Sequence, residues 1–121
     1  MDSRVEAVLE RLRREWRQQH RVADLAASVN LGASRLSHLI RAETNTTIRD
    51  LLRRRRIAEA AHRLATTYDR VSEISYYVGF TDVCNFNHAF RREFGLSPRA
   101  YREKSRRAAG GNDGDPAAPR S

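Results

Sequence analysis

One pattern occurs twice along this chain, and that repeat restricts the fold more than any other feature. Val22, Asp24, Leu25, Val29 and Leu31 are answered by Val71, Glu73, Ile74, Val78 and Phe80. In each copy an acid follows two residues after the leading Val, and a turn-forming residue, Asn30 or Gly79, stands just before the last apolar position. After a one-residue insertion the match resumes. Leu36, His38, Ile40, Arg41, Glu43 and Asn45 are answered by Phe86, His88, Phe90, Arg91, Glu93 and Gly95. A short amphipathic segment, a tight turn and a second amphipathic segment make a helix-turn-helix unit. A chain that repeats it at a period of about fifty residues is built from two such units.

The charge gives the repeat a direction. The formal net charge is +8, and Lys104 is the only lysine, so nearly all the positive charge is arginine. A GC-rich genome accounts for much of the preference for Arg over Lys. The surplus itself points to a polyanion, and the second helix of each unit is then available to a groove of DNA. Cys84 is the only cysteine. No internal disulfide can form, and a reducing cytoplasm fits. No apolar run approaches the ~18 residues of a membrane helix. The N-terminus, charged from Asp2, lacks the apolar stretch of a signal peptide.

Periodicity predicts an all-α chain: two helix-turn-helix lobes joined by a long linker helix, about seven helices in all. Val5, Val8, Leu9, Leu12 and Trp16 form one stripe on a first helix from about Ser3 to Gln19, which makes Trp16 a core residue. Short and longer helices follow over about Val22–Val29 and Ala33–Ala42. Asn30 and Gly32 make the turn between them, and Asn45 serves as C-cap. Thr46 or Thr47 caps a helix from about Ile48 to Tyr68, whose apolar residues cover more than one side. Its run Arg53 to Arg56 cannot share one face, so most of these arginines are expected in solvent or near phosphate. In the second unit Gly79 makes the turn, Asp82 caps a helix from about Val83 to Phe94, and Gly95 ends it. Ser97 and Pro98 start a last helix that fades by about Arg107. The expected organisation is a first lobe over 1–47, the linker helix over 48–68, a second lobe over 69–107, and a disordered Gly/Ala/Pro tail over 108–121.

The residues that could read DNA follow by subtraction. With Leu36, Leu39 and Ile40 turned to the core, Ser34, Arg35, Ser37, His38 and Arg41 are left outside. Ser34, Ser37, His38 and Arg41 recur at helical spacing and form one stripe. With Phe86, Ala89 and Phe90 inward, Val83, Cys84, Asn85, His88 and Arg91 are left outside. Val83 or Cys84 suits a thymine methyl and Asn85 an adenine edge. Each of these residues alone is ordinary helix surface. Their joint placement on the second helix of both units makes them candidates. If the two histidines meet phosphate or a guanine acceptor, protonation strengthens binding below about pH 6.5. Cys84 reads as a small buried or half-buried thiol, since no base, second cysteine or metal cluster adjoins it. No cofactor, metal site or catalytic group is expected.

Ile74-Ser75-Tyr76-Tyr77-Val78-Gly79-Phe80, then Phe86, Phe90-Arg91-Arg92-Glu93-Phe94-Gly95-Leu96-Ser97-Pro98 and Tyr101-Arg102, resembles the C-terminal signature of the AraC/XylS transcription regulators. Leu25-Ala26, Leu36, Leu39, Leu52, Arg56 and Ala60 fit the same pattern upstream. The resemblance covers nearly all of the chain up to the tail. It implies two recognition helices entering successive major grooves of double-stranded promoter DNA, roughly 34 Å apart. It also implies activation by recruiting RNA polymerase, and often a sensor or dimerisation domain that is not visible here. Departures from the pattern are Gly32 at a Ser cap, Arg55 and Arg63 at places usually apolar, and His38 and His88 where Arg is common. Three rival readings are a protein-interaction adaptor or antagonist using the same fold, the DNA-binding piece of a larger effector-responsive regulator, and a methyl-accepting repair protein using Cys84.

Overall fold

Asp2 sets the start of the first helix: its carboxylate accepts from the backbone N–H of Arg4 at 2.7 Å, satisfying one of the open donors of a helix N-terminus. The computed structural model describes residues 1–111. Within them lie seven helices and no strand: α1 (Ser3–Arg14), α2 (Val22–Ser28), α3 (Ala33–Thr44), α4 (Ile48–Thr66), α5 (Val71–Tyr77), α6 (Val83–Phe94) and α7 (Pro98–Gly111). The chain divides into two compact units, Met1–Arg56 and a second beginning at Ile57. Helix α4 therefore contributes its first half to one unit and its second half to the other.

In the first unit apolar residues of four helices close on one another. Val5, Val8 and Leu12 of α1, Leu25 and Ala26 of α2, Leu36 and Ile40 of α3, and Ile48 of α4 form one buried cluster. Full burial of each large aliphatic side chain contributes roughly 1.5–3 kcal/mol, which a seven-residue helix such as α2 needs, because alone it would not be stable. The second unit buries Ile57, Ala60, Ala61 and Leu64 of α4, Ile74 of α5 with Val78 just after it, and Phe86, Ala89 and Phe90 of α6. Here the repeat changes material. Positions that are Leu31, Leu36 and Ile40 in the first unit are Phe80, Phe86 and Phe90 in the second. Their rings meet edge-on or tilted at 5.4 and 5.8 Å, and Tyr101 of α7 adds an edge contact to Phe90 at 5.4 Å.

The two turns are built alike. Asn30 (φ 60°) and Gly79 (φ 106°) take positive φ, a conformation that suits Asn and Gly better than other residues. The next N–H then reaches back to close the preceding helix: Leu31 donates to the Ala26 carbonyl and Phe80 to the Ser75 carbonyl, both at 2.9 Å. The inserted residue falls after this closure, where Thr81 precedes the cap Asp82 while Leu31 leads straight to Gly32. Gly32 itself is extended (φ −81°, ψ 161°) and is the N-cap of α3, so it does not share the turn with Asn30 as expected. Asn45 (φ 60°) and Gly95 (φ 74°) end α3 and α6, each donating to the carbonyl four residues back, Arg41 at 2.9 Å and Arg91 at 2.7 Å.

Three expectations need correction. Helix α1 stops at Arg14, not near Gln19, and Trp16 is half-buried outside it, with the Arg55 guanidinium 5.3 Å from its ring centre. The carbonyls past the helix end are taken elsewhere: Glu15 by Nε2 of His20 at 2.7 Å, Trp16 and Gln18 by Arg56 at 3.0 Å each. In the Arg53–Arg56 run Arg54 is exposed, while Arg53, Arg55 and Arg56 are half-buried and engaged within the protein rather than mostly solvated. Arg53 pairs with Asp50, Arg55 covers Trp16, and Arg56 holds the two carbonyls. Helix α7 also runs on to Gly111, so residues 108–111 are helical. Positions 112–121 of the expected tail lie outside the described residues.

The departures on α4 have a common reason. Arg63 lies over the Tyr77 ring at 3.9 Å and pairs with Glu59 at 3.1 Å. Like Arg55, it covers an aromatic face with a flat guanidinium where an apolar side chain would otherwise pack. At the start of α4 it is Thr47 that caps, accepting from the Asp50 N–H at 3.1 Å, while Thr46 is buried. No described helix is long and apolar enough to cross a membrane.

Candidate nucleic-acid interface

The second helix of each unit, α3 or α6, is oriented by its own buried face. On α3, Leu36 and Ile40 are fully buried and Leu39 packs against the same cluster. At 100° per residue that leaves Ser34, Arg35, Ser37, His38 and Arg41 outside, and all five are exposed. On α6, Phe86, Ala89 and Phe90 face inward, and Cys84, Asn85, His88 and Arg91 are exposed. Two details differ from expectation. Cys84 is an exposed free thiol rather than a buried or half-buried one, because it occupies the first turn of α6 on the side away from Phe86. Val83 is half-buried rather than fully outside.

A further residue was within reach of the sequence. Ser37 on the first stripe is matched in the repeat by Asn87, which is exposed on α6 between Cys84 and His88. Cys84, Asn87, His88 and Arg91 thus reproduce the spacing of Ser34, Ser37, His38 and Arg41. Both signals in the sequence include Asn87: it stays outside once Phe86, Ala89 and Phe90 are turned inward, and the repeat pairs it with Ser37.

Among the described residues, no side chain of either stripe makes a hydrogen bond or ion pair within the protein. These side chains therefore keep their full complement of donors and acceptors for a partner. The two helix starts differ. Asp82 accepts from the Cys84 N–H at 2.7 Å and places a carboxylate at the head of α6, whereas Gly32 leaves the first N–H groups of α3 without a side-chain cap. The α3 end is thus the more favourable to an anion and the α6 end the less. No group of three or more His, Cys, Asp or Glu side chains able to hold a metal ion occurs among the described residues.

The helix-turn-helix domain family matches residues 25–104, which takes in α3 and α6 and everything between them. The chain belongs to the AraC-type helix-turn-helix family. It is 37% identical over 82 residues to the raffinose operon transcriptional regulatory protein RafR of Pediococcus pentosaceus, a match covering 68% of this chain and 30% of that protein. The DNA-binding domain of AdpA, a global transcriptional factor solved in complex with a target DNA, superposes with a TM-score of 0.75 at 26% identity, covering 84% of this chain and 92% of that one. A probable AraC family transcriptional regulator from Rhodopseudomonas palustris shares the fold, with a TM-score of 0.82 at 18% identity over 86% of this chain and 98% of that one. The AraC type is a family of DNA-binding transcription regulators, not of enzymes. The match to RafR spans less than a third of that relative's length.

Proposed function

We propose that this AraC-type chain is a sequence-specific DNA-binding regulator of bacterial transcription that lays α3 and α6 into successive major grooves of promoter DNA. The observation that carries the reading is the pair of matched, exposed, internally unbonded stripes on the second helix of each unit. Each stripe combines an arginine able to make bidentate contacts with short polar side chains able to meet base edges. Ser34, Arg35, Ser37, His38 and Arg41 read one groove; Val83, Cys84, Asn85, Asn87, His88 and Arg91 read the other. The surplus positive charge adds a sequence-independent, salt-sensitive attraction to the backbone.

Activation through RNA polymerase bound beside the site belongs to the same reading. So does response to a signal received by a sensor or dimerisation domain. RhaS of Klebsiella pneumoniae, a transcriptional activator, is 31% identical to this chain over 102 residues and supports the positive sign of regulation.

Binding of the chain to DNA selected from a random pool, and to scrambled DNA of equal length, tests the proposal by fluorescence anisotropy across a salt series. A preference of at least ~10³ for an asymmetric site spanning two major grooves is expected. Equal affinity for both DNAs would reduce the chain to a basic scaffold and sink the reading.

A further inference from the structure

Outside the two stripes, the repeat duplicates a second set of charges. Arg21 immediately precedes α2 and Arg70 immediately precedes α5; Arg49 is the second residue of α4 and Arg99 the second residue of α7. These are equivalent positions in the two units, and all four arginines are exposed. Among the described residues none of their guanidiniums has a hydrogen bond or ion pair within the protein. The contrast is with Arg56 and Arg106, also repeat-equivalent, which donate to backbone carbonyls inside their own units. One duplicated pair is thus consumed by the fold and two are left to solvent.

In the second unit the geometry is explicit. Arg70 and Arg99 line one groove, and its wall includes Val83 and Asn87 of α6. Arg102 lines it too, but its Nε and a terminal nitrogen are committed to the carbonyls of Leu64, Thr67 and Asp69. Glu103 is the acid on the lining, against three arginines. The groove therefore carries surplus positive charge, has two uncommitted guanidiniums, and adjoins the stripe that faces the bases.

We propose that Arg70 and Arg99 grip a backbone phosphate of the DNA strand beside α6, and that Arg21 and Arg49 grip the corresponding phosphate beside α3. The proposal rests on the reading that α3 and α6 enter major grooves. Guanidinium forks match phosphate oxygens in pairs. Such contacts fix the register of a recognition helix without reading sequence. The four arginines are positioning residues: they set how deep and at what angle each stripe meets the base edges.

The test uses the full chain and two double variants, Arg70→Gln with Arg99→Gln, and Arg21→Gln with Arg49→Gln. Anisotropy titrations are run on the selected site, on scrambled DNA, and on selected sites carrying a neutral methylphosphonate at single positions. Each double variant is expected to bind both DNA sequences weaker by a similar factor, about tenfold, and to lower the salt slope by ~0.9 per lost phosphate contact. One methylphosphonate position should weaken the unaltered chain but leave the matching variant unaffected. Thermal unfolding midpoints should be unchanged, since the replaced guanidiniums hold nothing in the protein. Sequence-selective binding by the unaltered chain, with unchanged affinity and salt slope in both variants, overturns the phosphate grip and leaves the DNA-reading proposal standing. A loss confined to the selected site overturns it as well, because the arginines would then be reading bases. Failure of the unaltered chain to bind DNA removes both.

Discussion

Arg56 donates from Nε to the carbonyl of Trp16 and from a terminal nitrogen to that of Gln18, both at 3.0 Å, across forty and thirty-eight residues of sequence. The second unit repeats the device from α7. Arg102 reaches the Leu64, Thr67 and Asp69 carbonyls, and Arg106 those of Leu64 and Thr67. In both units an arginine on the last helix satisfies the carbonyls left open where the first helix ends. Burial pushes the Arg56 pKa below its ordinary value, though a guanidinium stays charged throughout the working pH range.

Arg56→Ala is therefore expected to destabilise the first unit by about 2 kcal/mol, the scale of hydrogen bonds to a charged group. Arg56→Lys should recover only part of this, because a single ammonium cannot span two carbonyls as a fork does. Urea unfolding followed by helical circular dichroism measures both. A loss below about 0.5 kcal/mol for the alanine variant would mean that water satisfies the carbonyls equally well.

The heads and tails of the recognition helices offer opposite changes. A Cβ at Gly32 meets nothing within 4 Å, and the backbone there is extended. Gly32→Ser should cap α3 and stabilise by roughly 0.5 kcal/mol. Gly95 has equal room, but its φ of +74° is strained for any residue with a Cβ. Gly95→Ala should destabilise by about 1 kcal/mol. Thermal denaturation of the two variants gives the signs, and a stabilising Gly95→Ala would contradict the left-handed helix end.

These cases show what the sequence alone made legible. Element order, the positive-φ turns at Asn30 and Gly79, the caps at Asp82 and Asn45 and the outward stripe of α3 follow from local patterns spanning a few residues. The end of α1 does not. Trp16 continues the apolar spacing, yet the helix stops at Arg14 because Arg56, far along the chain, and His20 take the carbonyls beyond it. The fates of Arg55 and Arg63 were hidden for the same reason, since the rings they cover, Trp16 and Tyr77, are distant in sequence; Arg53, by contrast, pairs with Asp50 three residues back on the same helix. Asn87 was legible in principle, through its polarity as well as through the repeat that pairs it with Ser37.

The start of the chain should respond to acid. Hydrogen bonds from Arg4 hold the Asp2 carboxyl down at about 2, below its ordinary 3.8. A carboxylate with a depressed folded-state pKa stabilises the folded form above its ordinary pKa, and that contribution is lost as pH falls through the folded value. The capping contribution of Asp2 should thus be intact at neutral pH and fade between about pH 4 and pH 2. A carboxyl-detected NMR titration should place the Asp2 midpoint near 2. A midpoint at the ordinary aspartate value would mean that Arg4 does not hold it.

The exposed stripes of α3 and α6 can be followed by affinity, and that of α6 chemically as well. Asn87→Ala and His38→Ala are each expected to lose about 1–3 kcal/mol on the selected DNA and much less on scrambled DNA, the mark of a base contact. Equal losses on both would reassign the residue to the backbone. Cys84 is the only cysteine and its thiol is exposed, so a maleimide should label the free chain at this one position. Because Cys84 shares the stripe with Asn87 and His88, bound selected DNA should slow that labelling strongly, and the labelled chain should bind the site poorly. Labelling at an unchanged rate in the saturated complex would place the first turn of α6 outside the groove and remove Cys84, Asn87 and His88 together from the reading surface.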